Sequence, residues 1–195
     1  MTITLEKSQS LSDLDHCLTL SGISWEKLEQ IEHTFIDVEG VRFIYIDNTL
    51  EIMIVGARHE YYKRTISLLL EAYLRIHNIR FYSGGSATLG NQDITGRKEP
   101  DESYSFYSKK IIPDLVIEVI ITSGNINTLE IYRRIGIPEV WFYEEEQLTV
   151  YSLNQDQYSQ VNQSKVLPNL DLEIFTKYIT YDDQYDAVTE FMNEF

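Results

Sequence analysis

Two acids, one after a proline and one inside an apolar run, are the side chains of this sequence best suited to chemistry. Asp101 follows Glu99-Pro100, and Glu118 interrupts the run Leu115-Val116-Ile117-Glu118-Val119-Ile120-Ile121. That run is rich in β-branched residues and apolar on both faces, the pattern of a central strand covered on two sides. Side chains alternate along a strand, so Asp114, Val116, Glu118 and Ile120 share one face. Asp114, beside Pro113 at the strand mouth, can reach water, whereas Glu118 lies deeper. A buried carboxylate without a partner is costly, so Glu118 requires a cation, a proton or several donors beside it. With Asp101 at the start of the neighbouring strand, the two carboxylates can converge. Two such groups are hard oxygen ligands suited to Mg²⁺ or Mn²⁺, and an ion held there can activate water for attack on phosphorus. Residue types alone favour a plainer arrangement, in which Asp101 caps a turn and Glu118 pairs with Arg133 or Arg134.

The other candidates carry less. His59-Glu60 stands at the start of a helical pattern, where an acid is favoured by the helix dipole and can also face a cleft. Gly84-Gly85-Ser86 lacks the frame of a phosphate-cradling loop and reads as a kink in a strand. Tyr61, Tyr62, Tyr73 and the run Trp141-Phe142-Tyr143 have the spacing of core packing. No Gly-x-Ser-x-Gly nucleophile motif is present.

The elements that must position the acids follow from periodicity. Ser24 before Trp25, Leu28 and Ile31 predicts an N-capped helix. Residues 41–47 and 50–55 read as a hairpin turning at Asp47-Asn48-Thr49. Tyr62, Ile66, Leu69, Tyr73 and Ile76 make one apolar stripe, predicting the longest core helix between Arg58 and His77. Residues 80–89 suggest one strand with a glycine break, and residues 90–98 a polar loop. After the Glu118 strand, Thr122-Ser123-Gly124-Asn125 ends the sheet segment. Asn127 and Glu130 form a capping-box pattern, opening a helix that stops at Gly136 before Pro138. Residues 140–143 and 148–153 read as a second hairpin around Glu144-Glu145-Glu146, and residues 172–195 as one or two acidic amphipathic helices.

The chain has 195 residues, 43% of them hydrophobic, enough for one domain over residues 21–195 behind a loosely ordered arm of residues 1–20. One cysteine, Cys17, excludes an internal disulfide or a cysteine metal cluster. With no leader pattern and no membrane-length apolar run, the expectation is a cytoplasmic protein that does not enter a membrane. The net charge of −15 opposes general nucleic-acid binding, yet bases and acids nearly balance between Arg42 and Arg134. The acidity belongs to the flanks, and a basic surface remains open to the middle.

Several short motifs, in order, resemble a known family. They are Leu50-Glu51-Ile52-Met53, Arg58-His59-Glu60, Glu99-Pro100-Asp101-Glu102, Pro113 to Val119 with Thr122-Ser123, Leu129-Glu130-Ile131-Tyr132, and Gly136-Ile137-Pro138-Glu139-Val140-Trp141. Over about residues 22–170 they resemble the Uma-two group, a family described as putative restriction endonucleases. The resemblance implies an α/β fold of the PD-(D/E)XK type, a restriction-endonuclease-like core with a mixed central β-sheet flanked by helices, here with an N-terminal helix and hairpin added. It implies a metal-dependent DNA endonuclease with Asp101 and Glu118 as metal ligands for Mg²⁺ or Mn²⁺ and Glu60 as a supporting helical acid. DNA is the implied partner, and a homodimer suits the cutting of both strands. The lysine of the family's Lys-Leu-x-x-Tyr pattern falls on Thr128, which carries no charge. A cation from Lys98, Lys109, Lys110, Arg133 or Arg134 would have to replace it. The alternative is a catalytically inactive relative that keeps the fold as a binding or assembly module.

Overall fold

Residues 15–122 and 126–195, which the computed structural model describes, form two sheets and five helices. In chain order these are β1 His16–Ser21, α1 Trp25–Thr34, β2 Val41–Ile46, β3 Thr49–Ile54, α2 Ala57–Ile76, β4 Phe81–Ser83, β5 Leu89–Asn91 and β6 Gly96–Lys98. Then come β7 Glu102–Phe106, β8 Leu115–Ile120, α3 Thr128–Ile135, β9 Glu139–Glu144, β10 Gln147–Asn154, β11 Gln157–Val161, α4 Leu172–Ile179 and α5 Gln184–Met192. The smaller sheet runs β1-β3-β2-β6-β5, and the larger runs β11-β10-β9-β8-β7-β4. In the larger sheet β8 and β9 are parallel and every other pairing is antiparallel. Parallel neighbours need a crossover, which α3 provides.

This is the mixed, helix-flanked architecture that the resemblance implies. The β8 run is buried from Leu115 to Val119, as its two-faced apolar pattern requires. Leu115, Ile117 and Val119 face α2, α4 and α5 through Ile66, Leu69, Tyr73, Phe175 and Phe191. Val116 faces Tyr132 and Ile137 on the side of α3. Strand alternation sends Glu118 to that second side, where β5 and β6 also meet α3.

Local chemistry explains most boundaries. Ser24 accepts the Lys27 N–H and caps α1. Asp47 and Asn48 take φ of 45° and 65°, the doubly left-handed turn that joins two strands tightly. Asp171 and Asp183 cap the two C-terminal helices with their carboxylates. Asn127 precedes α3 without a capping hydrogen bond from its side chain, and Glu130, the other half of the expected capping box, bonds Arg133 and Arg134.

Three expectations change. Residues 16–20, read as part of an arm, join Ser21 in β1 and add to the smaller sheet at β3, while residues 1–14 of that arm lie outside the described residues. Residues 80–89 are two strands in different sheets, since the chain turns away at Gly84, where a Cβ would stand 2.6 Å from the Ser103 hydroxyl. Residues 90–98, read as a loop, contain β6 and most of β5, a hairpin that delivers Lys98 to the interior. The expected end of the sheet segment at residues 122–125 lies outside the described residues except for Thr122.

Candidate active site

Asp101 and Glu118 come together by strand register. Glu102 pairs with Ile117, so one further step of the antiparallel β7–β8 ladder sets Asp101 opposite Glu118, and opposed residues project to the same face. The Asp101 Oδ2 accepts the Val119 N–H at 2.7 Å, which fixes the carboxylate against the strand that carries Glu118. Its Oδ1 lies 2.8 Å from His59 Nε2. His59 in turn places Nδ1 3.1 Å from Asp15 Oδ2, and the other oxygen of Asp15 accepts the Gly56 N–H at the mouth of α2. An imidazole between two buried carboxylates completes one half of the site.

Glu118 has its own partners. Lys98 Nζ stands 3.1 Å from Oε2, and the Tyr132 hydroxyl from α3 donates to Oε1. Arg133 and Arg134 are engaged elsewhere, with Glu130, Asp156 and Asp47, so the arginine pairing favoured by residue types alone does not form. The cation that Glu118 needs comes from β6, three residues before Asp101.

These contacts set the protonation states. Burial opposes charge on His59, but the hydrogen bonds and charges of Asp101 and Asp15 outweigh it and raise its pKa to about 10. Burial would raise Asp101, and the His59 bond, the His59 and Lys98 charges and the Val119 N–H reverse this and hold it below its ordinary range. For Glu118 burial prevails: with Asp101 nearby, and despite Lys98 and the Tyr132 bond, its pKa rises to about 7. Burial and the neighbouring Glu118 carboxylate push the Tyr132 hydroxyl well above its ordinary value. The site therefore holds an ionised Asp101, an imidazolium at His59 and a Glu118 poised near neutrality.

A cavity of about 160 Å³ opens onto these groups, lined by Asp101, Glu118, His59, Lys98, Glu51 and Thr128 among others. Thr128 lies on the cavity wall but brings no charge. Glu60 does not line this cavity. Its half-exposed side chain meets Lys63 at 3.4 Å and Arg42 at 3.9 Å over a separate hollow. Successive helix residues point about 100° apart, so the turn that takes Glu60 outward takes His59 inward. Lys98 was one of five cations that could replace the missing lysine, and its place three residues before Asp101 was the signal that singled it out. His59 was visible only as the neighbour of Glu60, and its role between Asp15 and Asp101 had no signal in the sequence.

The oxygens of Asp101 and Glu118 each take a donor and each keep a second lone pair. They can supply two hard ligands to Mg²⁺, which characteristically binds through one or two carboxylates and completes its shell with water and phosphate oxygens. His59, as an imidazolium, cannot ligate. Among the described residues no group of three or more His, Cys, Asp and Glu side chains is arranged to hold an ion. No helix among them is long and apolar enough to cross a membrane.

Residues 25–180 match the model of the Uma2 family, described as putative restriction endonuclease. No curated protein matches the chain.

Proposed function

Because the chain belongs to the Uma2 family, we propose that the cavity is the active site of a metal-dependent DNA endonuclease that hydrolyses phosphodiesters. The observation that carries this reading is the Lys98–Glu118 contact at 3.1 Å beside Asp101. It supplies from β6, rather than from the start of α3, the cation that Thr128 lacks. Asp101 and Glu118 would hold Mg²⁺ or Mn²⁺, which when bound supplies charge to the phosphate oxygens and lowers the pKa of water. Lys98 offsets phosphate charge and orients the attacking water from its place against Glu118. His59 holds Asp101 ionised and fixed through Oδ1, leaving the oxygen near Val119 aligned with the strand. Tyr132 does the same for Glu118 through Oε1. Water gives up a proton as its oxygen bonds to phosphorus, the phosphorus–oxygen ester bond breaks, and the leaving oxygen takes up a proton, so that none is gained or lost overall.

A second reading is favoured by one observation, the uncharged Thr128 on the cavity wall: a site that binds but no longer cuts. The experiment is melting of the wild type and Glu118→Ala during Mg²⁺ and Mn²⁺ titration, followed by nicking of supercoiled DNA. A ligand bound only by the folded chain raises its melting point. Stabilisation by metal that disappears in Glu118→Ala, together with nicking, is the expected result. Stabilisation without nicking, with nicking gained in Thr128→Lys, supports the second reading, and no metal response defeats both.

A further inference from the structure

Resting on that substrate reading, we propose that the open edge of the larger sheet, β4 with the turn of residues 107–112, docks the backbone of duplex DNA away from the bond to be cut. In a chain of net charge −15 this edge is basic. Arg75, Arg80, Lys109 and Lys110 are all exposed there. Lys110 meets Asp114 at 2.6 Å, Lys109 lies over the ring of Tyr82, and Arg75, on the opposite face of the sheet, lies over Phe81; among the described residues neither Arg75, Lys109 nor Arg80 forms an ion pair. Cations on aromatic supports, with no acid to satisfy them, are held ready for an anion from outside.

The placement relative to the cavity suits a polymer. Asp101, Ser103 and Ser105 alternate to one face of β7, and Tyr82 opposes Ser105. A groove of about 290 Å³ lined by Tyr82, Ser103, Ser105, Lys109 and Lys110 therefore opens on the face to which the catalytic acids project. From Asp101 to Tyr107 the hairpin extends roughly 20 Å, a distance over which one strand of a duplex presents about six phosphates. The cavity and the basic edge can thus contact one duplex at separate points.

The charge also selects the occupant. A second copy pairing along β4 would gather Arg80 and Lys109 of both copies into one interface, where like charges repel. The strand is three residues long, a poor template for such pairing. A polyanion has neither difficulty.

The test uses the full chain and a labelled duplex long enough to reach from the cavity past the turn, in EDTA, with Arg80→Glu/Lys109→Glu and the neutral Arg80→Gln/Lys109→Gln. Removal of two phosphate contacts should weaken binding roughly tenfold to a hundredfold near 0.1 M salt and reduce the salt slope by about two. Unchanged melting of both exposed variants certifies folding. Affinity indifferent to the substitutions, or binding to vesicles of anionic lipid in preference to the duplex, overturns the docking surface. Hydrolysis of a small chromogenic phosphodiester by the unaltered chain, assayed separately with Mg²⁺ and no EDTA, reads the cavity alone. Hydrolysis with duplex affinity independent of the two cations sinks this surface and leaves the proposed function. Cation-dependent duplex binding without hydrolysis supports the surface and defeats the endonuclease reading.

Discussion

Replacing His59 with glutamine keeps a hydrogen-bonding side chain between Asp15 and Asp101 and removes the charge, so the variant isolates what that charge contributes. His59 stands at about 10 in the folded chain against an ordinary 6.5. A basic group raised in this way stabilises the fold fully below its ordinary pKa and ceases to do so as the pH climbs through the folded value. With each tenfold in proton affinity worth about 1.4 kcal/mol, the ceiling is about 5 kcal/mol below about pH 6, about 3 kcal/mol near pH 7.5 and almost nothing above about pH 10. The same contacts lower Asp101, so they are counted once. For a chain of this length the mid-range value corresponds to a melting shift of roughly 6–12 °C. Urea unfolding followed by the fluorescence of Trp25 and Trp141, run at several pH values, measures the gap between wild type and His59→Gln directly. The gap should be widest near about pH 6 and close as the pH approaches about 10. A gap that stays constant across that range refutes the assignment of a charged His59, and with it the account of Asp15, His59 and Asp101 as one ionic cluster.

Other consequences can be checked separately. Lys98→Met should lower nicking of supercoiled DNA by about 10²–10⁴-fold, with Thr128→Lys in the same chain restoring little if Lys98 holds the water-orienting position; full recovery would show that position 128 is equivalent. Gly90 has φ of 92°, and a Cβ there would stand 2.2 Å from the Gly96 carbonyl oxygen. Gly90→Ala should therefore cost about 3 kcal/mol and, by distorting the hairpin that carries Lys98, reduce nicking as well as chemical stability in urea. Glu139, fully buried, accepts from Trp141 Nε1, the Ser164 hydroxyl and the Lys165 N–H. Glu139→Ala leaves those donors without partners and should cost about 3 kcal/mol or more in denaturant, while stabilisation by Mg²⁺ persists because the residue lies outside the cavity.

Elements governed by short-range rules were legible in the sequence. The two-faced apolar run of β8, the stripe of α2, the Asp47-Asn48 turn and the Ser24 cap each depend on neighbours a few residues away. The buried acid within β8, and an Asp101 one strand earlier, were visible for the same reason. What escaped was the choice of partners for those two acids and the strands that deliver them. Residues 90–98 look like a loop because two very short strands leave too few alternations for a pattern, and the hairpin they form exists only against β2. Glu60 seemed a better site residue than His59, because its sequence shows an acid near a helix start but not which way the helix is rotated.

The chain's order of residues determined that a carboxylate would be buried at position 118 and that burial would demand compensation. Only the tertiary structure decided that the compensation is Lys98 from the smaller sheet and Tyr132 from α3, rather than Arg133 or Arg134. The reason is physical: a local pattern specifies how much of a group is hidden from water, whereas the identity of its partner depends on which elements pack across the sheet, a question of long-range contact that no spacing along the chain encodes.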